Sequence, residues 1–169
     1  MRILIAPDKF KGTLDARAVA KALTKGWLAV RPDDTVEVLP MTDGGDGFGD
    51  ILGPLLDAER RHTATVNAAH RPRNASWWFS PARNTAIIET AQSNGLALLP
   101  KGQFHPFQLD TTGVAELIRA SHAAGAACAY LGVGGSATND GGFGLARGLG
   151  WRFLDAAGSE ILEWTGLQR

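Results

Sequence analysis

The sequence predicts an α/β fold: a domain built on a parallel sheet, followed by a second domain of mixed α/β character. Three observations carry that prediction. Over residues 2–56, short apolar runs alternate with helix-period segments and polar, glycine-bearing loops. Further on, three strand patterns follow one another with only turns between them. A last apolar run then enters "LGVGGSATNDGG", residues 131–142, with five glycines in twelve positions.

"RILIA" is continuous and branched rather than alternating, so it reads as a fully buried strand. "PDKFKGTL" is a loop, with Pro7 and Gly12 as breakers. The spacing predicts a helix over 15–30, with Val19, Leu23, Trp27 and Val30 on one face, stopped by Arg31-Pro32. "TVEVLP" is a second strand, "MTDGGDGFGD" a glycine-acid loop, and 51–56 a short helix. Strand, loop and helix repeated in this order predict parallel strands joined by right-handed crossovers, with functional loops at the strand carboxyl ends.

The texture changes near residues 57–63, which divides the chain into 1–60 and 61–169. "RRHTATV", "ASWWF" and "TAIIE" are strand candidates, and "SPARN" after Trp77-Trp78-Phe79 reads as a hairpin turn. Beyond "NGLALLP" and "HPFQLDTT" comes a helix carrying Val114, Leu117 and Ile118, and then "ACAYLGV" as a buried strand. The glycine loop follows, then a helix over 143–149, "WRFLD" and the turn "AAGS". The tail "EILEWTGLQR" has neither helix nor clear strand character.

Seventeen basic and seventeen acidic side chains cancel, which argues against a nucleic-acid binder that works through a basic face. The opening apolar run stops at Pro7, too short for a signal-peptide core or a membrane span, so a cytoplasmic protein without a membrane partner is expected. The single cysteine, Cys128, excludes a disulfide framework and reads as a small buried hydrophobe. His62, His70, His105 and His122 lack metal-ligand spacing; His70, beside Arg71, is the one suited to an acidic substrate.

Glycines let a backbone approach an anion closely, and a helix opening just after the loop adds unpaired N–H groups. Gly134 and Gly135, the hydroxyls of Ser136 and Thr138, the amide of Asn139 and the carboxylate of Asp140 therefore suit phosphate or carboxylate binding. A tight turn with no ligand accounts for the loop equally well. The letters of residues 132–137 also match the dinucleotide fingerprint, which however needs its helix to open within the motif. Two other loops tilt the balance. Asp8, Lys9 and Lys11 leave the first strand, where a lysine can neutralise a phosphoryl group and an aspartate can accept a proton. Asp43, Asp46 and Asp50 leave the second, and carboxylates among glycines suit magnesium. Lysines on one loop and carboxylates on the next make a phosphoryl-transfer set, if the fold gathers them.

"IAPDKFKGTL", "MTDGGDGF", "ETAQSNGLALLP" and above all "GGSATNDGG" with "ARGLGWRFLDAAG" resemble the bacterial glycerate kinase family of the glycerate 2-kinase class, in family order from residue 1 to about 159. The resemblance implies a phosphotransferase that moves phosphate from ATP to the alcohol of D-glycerate with magnesium. It implies a flavodoxin-like (Rossmann-like) parallel sheet domain and a second domain likened to a restriction-endonuclease fold, both incomplete in this chain. By matching motif positions, Asp8, Lys11, Asp43 and Asp140 carry over as catalytic candidates. Lys9, Arg71, Gly134, Gly135, Ser136, Thr138 and Asn139 carry over as substrate or phosphate contacts, and Asp43 and Asp46 as magnesium ligands. Lys9 stands where the family has serine or lysine, and Asp46 where glutamate is commoner. "TTGVAEL" replaces a Gly-Thr-Gly-Glu-Leu-like stretch, and "NAAHRPRNASWW" a more glycine-rich turn. Family chains are more than twice as long, so the chain reads as an N-terminal portion, expected to be inactive by itself. A nicotinamide-binding oxidoreductase, and an inactive remnant or association module, are the alternatives; homo-oligomerisation is left open.

Overall fold

The computed structural model describes residues 1–167. The first unit is small. β1 (Arg2–Ile5) pairs in parallel with β2 (Thr35–Val38), Arg2 opposite Thr35 and Ile5 opposite Val38. α1 (Ala16–Val30) crosses between them. Asp15 caps it by accepting from the N–H of Ala18, and the N–H of Arg31 closes its end on the carbonyl of Trp27. Asp34 then accepts from the indole of Trp27 and the amine of Met1, pinning the helix end to the start of β1.

The second unit is a four-stranded sheet in the order β3 (Glu59–Val66), β4 (Pro72–Ser80), β5 (Thr85–Glu89), β6 (Cys128–Gly132). β3, β4 and β5 run antiparallel; β5 and β6 are parallel, joined through α3 (Ala91–Asn94) and α4 (Thr112–Ala123). β4 alternates its contacts between two covered faces. Ala75, Trp77 and Phe79 meet Ala86, Ile88 and Leu117 of α4 in the main core. Trp78 points the other way, against α2 (Phe48–Leu55). A Cβ on Gly49 would lie 1.9 Å from the Trp78 ring and one on Gly53 2.9 Å from it, so α2 seats flat only because both positions are bare. α5 (Phe143–Gly148) packs beside α4.

The strands lie where the hydrophobic pattern predicts them, but two burial expectations fail. "RILIA" is not fully buried: Leu4 is 59% exposed, because among the described residues this sheet has two strands, with one helix on it and nothing paired to its edges. On α1 the predicted face buries Val19 and leaves Leu23, Trp27 and Val30 exposed for the same reason. "ACAYLGV" is also not buried. β6 is an edge strand, Tyr130 is 50% exposed and Cys128 is open to solvent, so the cysteine is not a core residue. α2 starts three residues earlier than expected, at Phe48, after Gly47 turns the chain at a φ of 90°. Among the described residues, no helix is long and apolar enough to cross a membrane.

Candidate active-site cleft

In parallel sheets, ligands bind beyond the carboxyl ends of the strands. The loops after β1, β2, β5 and β6 all meet there. Loop 6–15 makes a tight turn in which Phe10 pairs with Leu14, with Gly12 at positive φ. Loop 39–47 runs beside it, tied by the N–H of Met41 on the carbonyl of Pro7. Lys9 Nζ bridges the two by donating to Asp43 Oδ1 at 2.6 Å, and the N–H of Gly45 donates to the same oxygen.

That bridge biases both charges. Burial works against the Lys9 ammonium, but the Asp43 bond and the charges of Asp43, Asp8 and Asp46 outweigh it, raising its pKa above the ordinary lysine value. The Lys9 bond, then the Gly45 N–H, hold the Asp43 carboxyl below the usual range, helped by the charges of Lys9 and Lys11. Both groups stay ionised throughout the physiological range.

The glycine loop turns out to serve backbone packing first. A Cβ on Gly132 would lie 2.6 Å from the carbonyl oxygen of Gly44, and one on Gly134 2.7 Å from the nitrogen of Gly45. The N–H of Gly134 donates to Gly44 O at 3.0 Å. Two glycine-rich loops from two sheets therefore lie backbone against backbone, which any side chain would prevent. Gly135, at positive φ, is then free to turn Ser136 toward Gly95, with which it forms an antiparallel bridge.

The expected helix-terminus anion site is not available. α5 is short, and its first N–H groups are already occupied: Gly144 donates to Asp140 and Leu145 to the Thr111 hydroxyl. Asp140 is buried and accepts as well from the N–H and hydroxyl of Thr111 and the N–H of Gly142. A carboxylate with four donors is an anchor between the starts of α4 and α5. The dinucleotide fingerprint fails too, since the helix opens at Phe143, well past Ala137.

Between the loops lies a cleft of about 1020 Å³. Lys9, Lys11, Asp43, Asp46, Gly135 and Ser136 line it. Asp8 lines an adjoining hollow of about 470 Å³ that shares Lys9 and Asp46 with the cleft. Thr138 stands just behind Ser136, their hydroxyls 2.6 Å apart, and Asn139 is exposed at the loop tip. Arg71 does not line the cleft; it sits in the β3–β4 turn with its guanidinium 5.1 Å from the ring centre of Phe104, which does. His70 is held by Asp110.

Magnesium is held by one or two carboxylates, its own waters and substrate phosphates, so it needs no all-protein cage. Asp43 has its second oxygen free of hydrogen bonds among the described residues, and Asp46 makes none there. This pair fits that donor set, and no group of three or more candidate ligands exists among the described residues. Sequence reasoning missed polar residues of this region, Lys101 and Asn94 among them. Lys101 faces the cleft from the loop after α3 but is a lone lysine with no pattern around it. Asn94 lies beneath the glycine loop; the Ser-Asn-Gly step after a buried strand was its signal.

Residues 3–168 match the model of the Glycerate kinase family. The chain is 38% identical to the glycerate 2-kinase of Escherichia coli K12 over 161 residues, which cover 95% of this chain and 42% of that protein. It is 39% identical to the glycerate kinase of Bacillus subtilis 168, again over 95% of this chain and 42% of the relative. A crystal structure from Salmonella typhimurium LT2, provisionally named glycerate kinase 2, superposes with a TM-score of 0.77 at 36% identity. The match covers 96% of this chain and 44% of that one. The chain thus spans less than half the length of these relatives.

Proposed function

The chain belongs to the glycerate kinase family, and from that premise we propose that the intact protein transfers a phosphoryl group from ATP to a hydroxyl of D-glycerate in the cytoplasm. The observation that carries this reading is the convergence of Lys9, Lys11, Asp43, Asp46 and Ser136, from three loops distant in sequence, on one cleft. Phosphoryl transfer asks mainly for positioning and charge neutralisation, which such a set can provide. When bound, magnesium-ATP supplies the phosphoryl group, and Asp43 and Asp46 are the residues that would hold its metal.

Within this reading Lys11 neutralises phosphate charge, since no carboxylate bridges it among the described residues. Lys9 also acts on the loops themselves, because by clamping Asp43 it fixes their spacing. Asp43, with its carboxyl held low, is a weak base, which favours charge and metal work over proton abstraction. Asp46 lines the cleft with no hydrogen bond among the described residues, so it is free to orient the substrate hydroxyl. Ser136 and Gly135 anchor an anionic oxygen with Thr138 behind Ser136, Asp8 borders the ligand from the adjoining hollow, and Arg71 acts through Phe104. Asp140 contributes by holding the loop in shape.

The test is ADP release by the intact protein with D-glycerate, ATP and magnesium. Lys11→Ala and Asp43→Asn are each expected to lower kcat by about a hundredfold or more, as for other charge-stabilising groups. Turnover independent of glycerate, or unchanged in both variants, overturns the reading.

A further inference from the structure

Asn94 is 3% exposed, yet its side-chain oxygen has no hydrogen-bond partner among the described residues. Its amide nitrogen makes one long contact, donating to Thr138 Oγ1 at 3.4 Å, while its backbone carbonyl accepts from Ala137 at 2.8 Å. Both ends of the residue therefore bear on the segment 136–138. A buried amide with an idle oxygen is a poor choice for packing alone, since an apolar side chain of the same size carries no such cost.

A Thr138 oxygen that accepts from the Asn94 amide keeps its own proton for another partner. With Thr138 Oγ1 accepting from Asn94, the Thr138 proton has Ser136 Oγ within reach at 2.6 Å. Ser136 Oγ also accepts from the N–H of Thr138 at 3.1 Å. When the Thr138 proton goes to Ser136 Oγ, both lone pairs of the serine oxygen are filled and its own proton is left for the cleft that Ser136 lines. Turning the amide over would reverse the chain: Thr138 would donate inward, Ser136 would donate to Thr138, and the buried NH2 would be orphaned. Buried orphan donors are rarer than under-used acceptor oxygens, which favours the orientation seen.

We infer that Asn94 is a positioning residue of the cleft: its buried amide orients the Thr138 and Ser136 hydroxyls so that Ser136 donates to an anionic oxygen, a carboxylate or a phosphate. The inference rests on the reading of the cleft as the substrate site. Asn94 touches no ligand and acts through Thr138.

The experiment measures the affinity of the intact protein for D-glycerate and for inorganic phosphate separately, by titration calorimetry, with thermal melting as a control for folding. Ser136→Ala is expected to weaken one of the two probes about tenfold, the worth of one hydrogen bond to a charged group, and which probe suffers identifies the oxygen. Asn94→Asp keeps the shape but replaces the donor by an acceptor, and is expected to weaken the same probe by about threefold to tenfold. Thr138→Val should do the same, and the double variant Asn94→Asp with Thr138→Val should be no worse than the poorer single one, because both break one chain. Additive losses, or an Asn94→Asp protein that melts earlier but binds both probes as before, overturn the inference and leave the substrate site standing. Unchanged binding in Ser136→Ala instead removes the loop from the substrate site, and the proposed role of Asn94 goes with it.

Discussion

"RILIA" and "TAIIE" are both short, branched, apolar runs, and both form strands with a parallel neighbour. β5 is buried at every residue, whereas β1 is buried only at Ile5. The difference lies in what covers them. β5 has a strand on each side, with α4 over one face of its sheet and α2 against the other. Among the described residues β1 has one strand neighbour and one helix. Parallel strands depend on being covered on both faces, so the same pattern stabilises strongly in the second sheet and weakly in the first. Even α2, which the chain order would assign to the first unit, lays its glycine face on Trp78 and gives the N–H of Gly49 to Glu89.

The largest test of this contrast is Gly49→Val. Its Cβ has no room beside Trp78, so the variant should lose about 3 kcal/mol or more in urea denaturation, with the tryptophan emission shifting to the red. A variant as stable as the parent would mean that α2 does not rest on that ring. Next comes a matched pair. Ile88→Ala, at a fully buried site, should cost about 2–5 kcal/mol, and Leu4→Ala, half open, no more than about 0.5–1 kcal/mol. Equal costs in the same denaturation experiment would show that the open sheet is covered in solution.

The smallest effect is Lys9→Met, because Asp43 is nearly half exposed and a pair of this kind contributes under about 1 kcal/mol. Its pH dependence is the sharper reading. The Asp43 carboxyl is lowered on folding, so its share of stability is complete above the unfolded value of about 3.9 and disappears as pH falls through the folded value. Lys9 is raised, so its share is complete below about 10.4 and disappears as pH rises through the folded value. The difference in melting temperature between parent and variant should therefore be flat over roughly pH 5 to 9 and shrink at both extremes. A difference that persists in strong acid would assign the stability to something other than this pair.

Much of the cleft's charged lining is legible in the amino-acid order. Lys9, Lys11, Asp43 and Asp46 stand at strand exits that a parallel arrangement must bring together, and β1 and β2 are parallel. The glycine loop is recognisable by its letters, but the work of its glycines is not. Gly132 and Gly134 are bare because the loop of another sheet lies against them, a constraint that composition near 132–135 does not express. Asp140 reads as a chemical group, while the fold surrounds it with four donors from segments up to 29 residues away in sequence. Lys101 carries no local pattern, so only folding brings it to the cleft, and the Ser-Asn-Gly step that marks Asn94 does not say that it lies beneath the glycine loop.

Local periodicity and breakers by themselves determined the strands, the long helices α1 and α4 and which loops carry charge, because these depend on neighbours a few residues apart. Burial of β1 and β6, the seating of α2 on Trp78, the closure of the α5 terminus by Asp140 and the hydroxyl chain above Asn94 were decided by tertiary structure alone. Each of these depends on the atoms that lie across a gap from the residue, and those atoms come from distant parts of the chain.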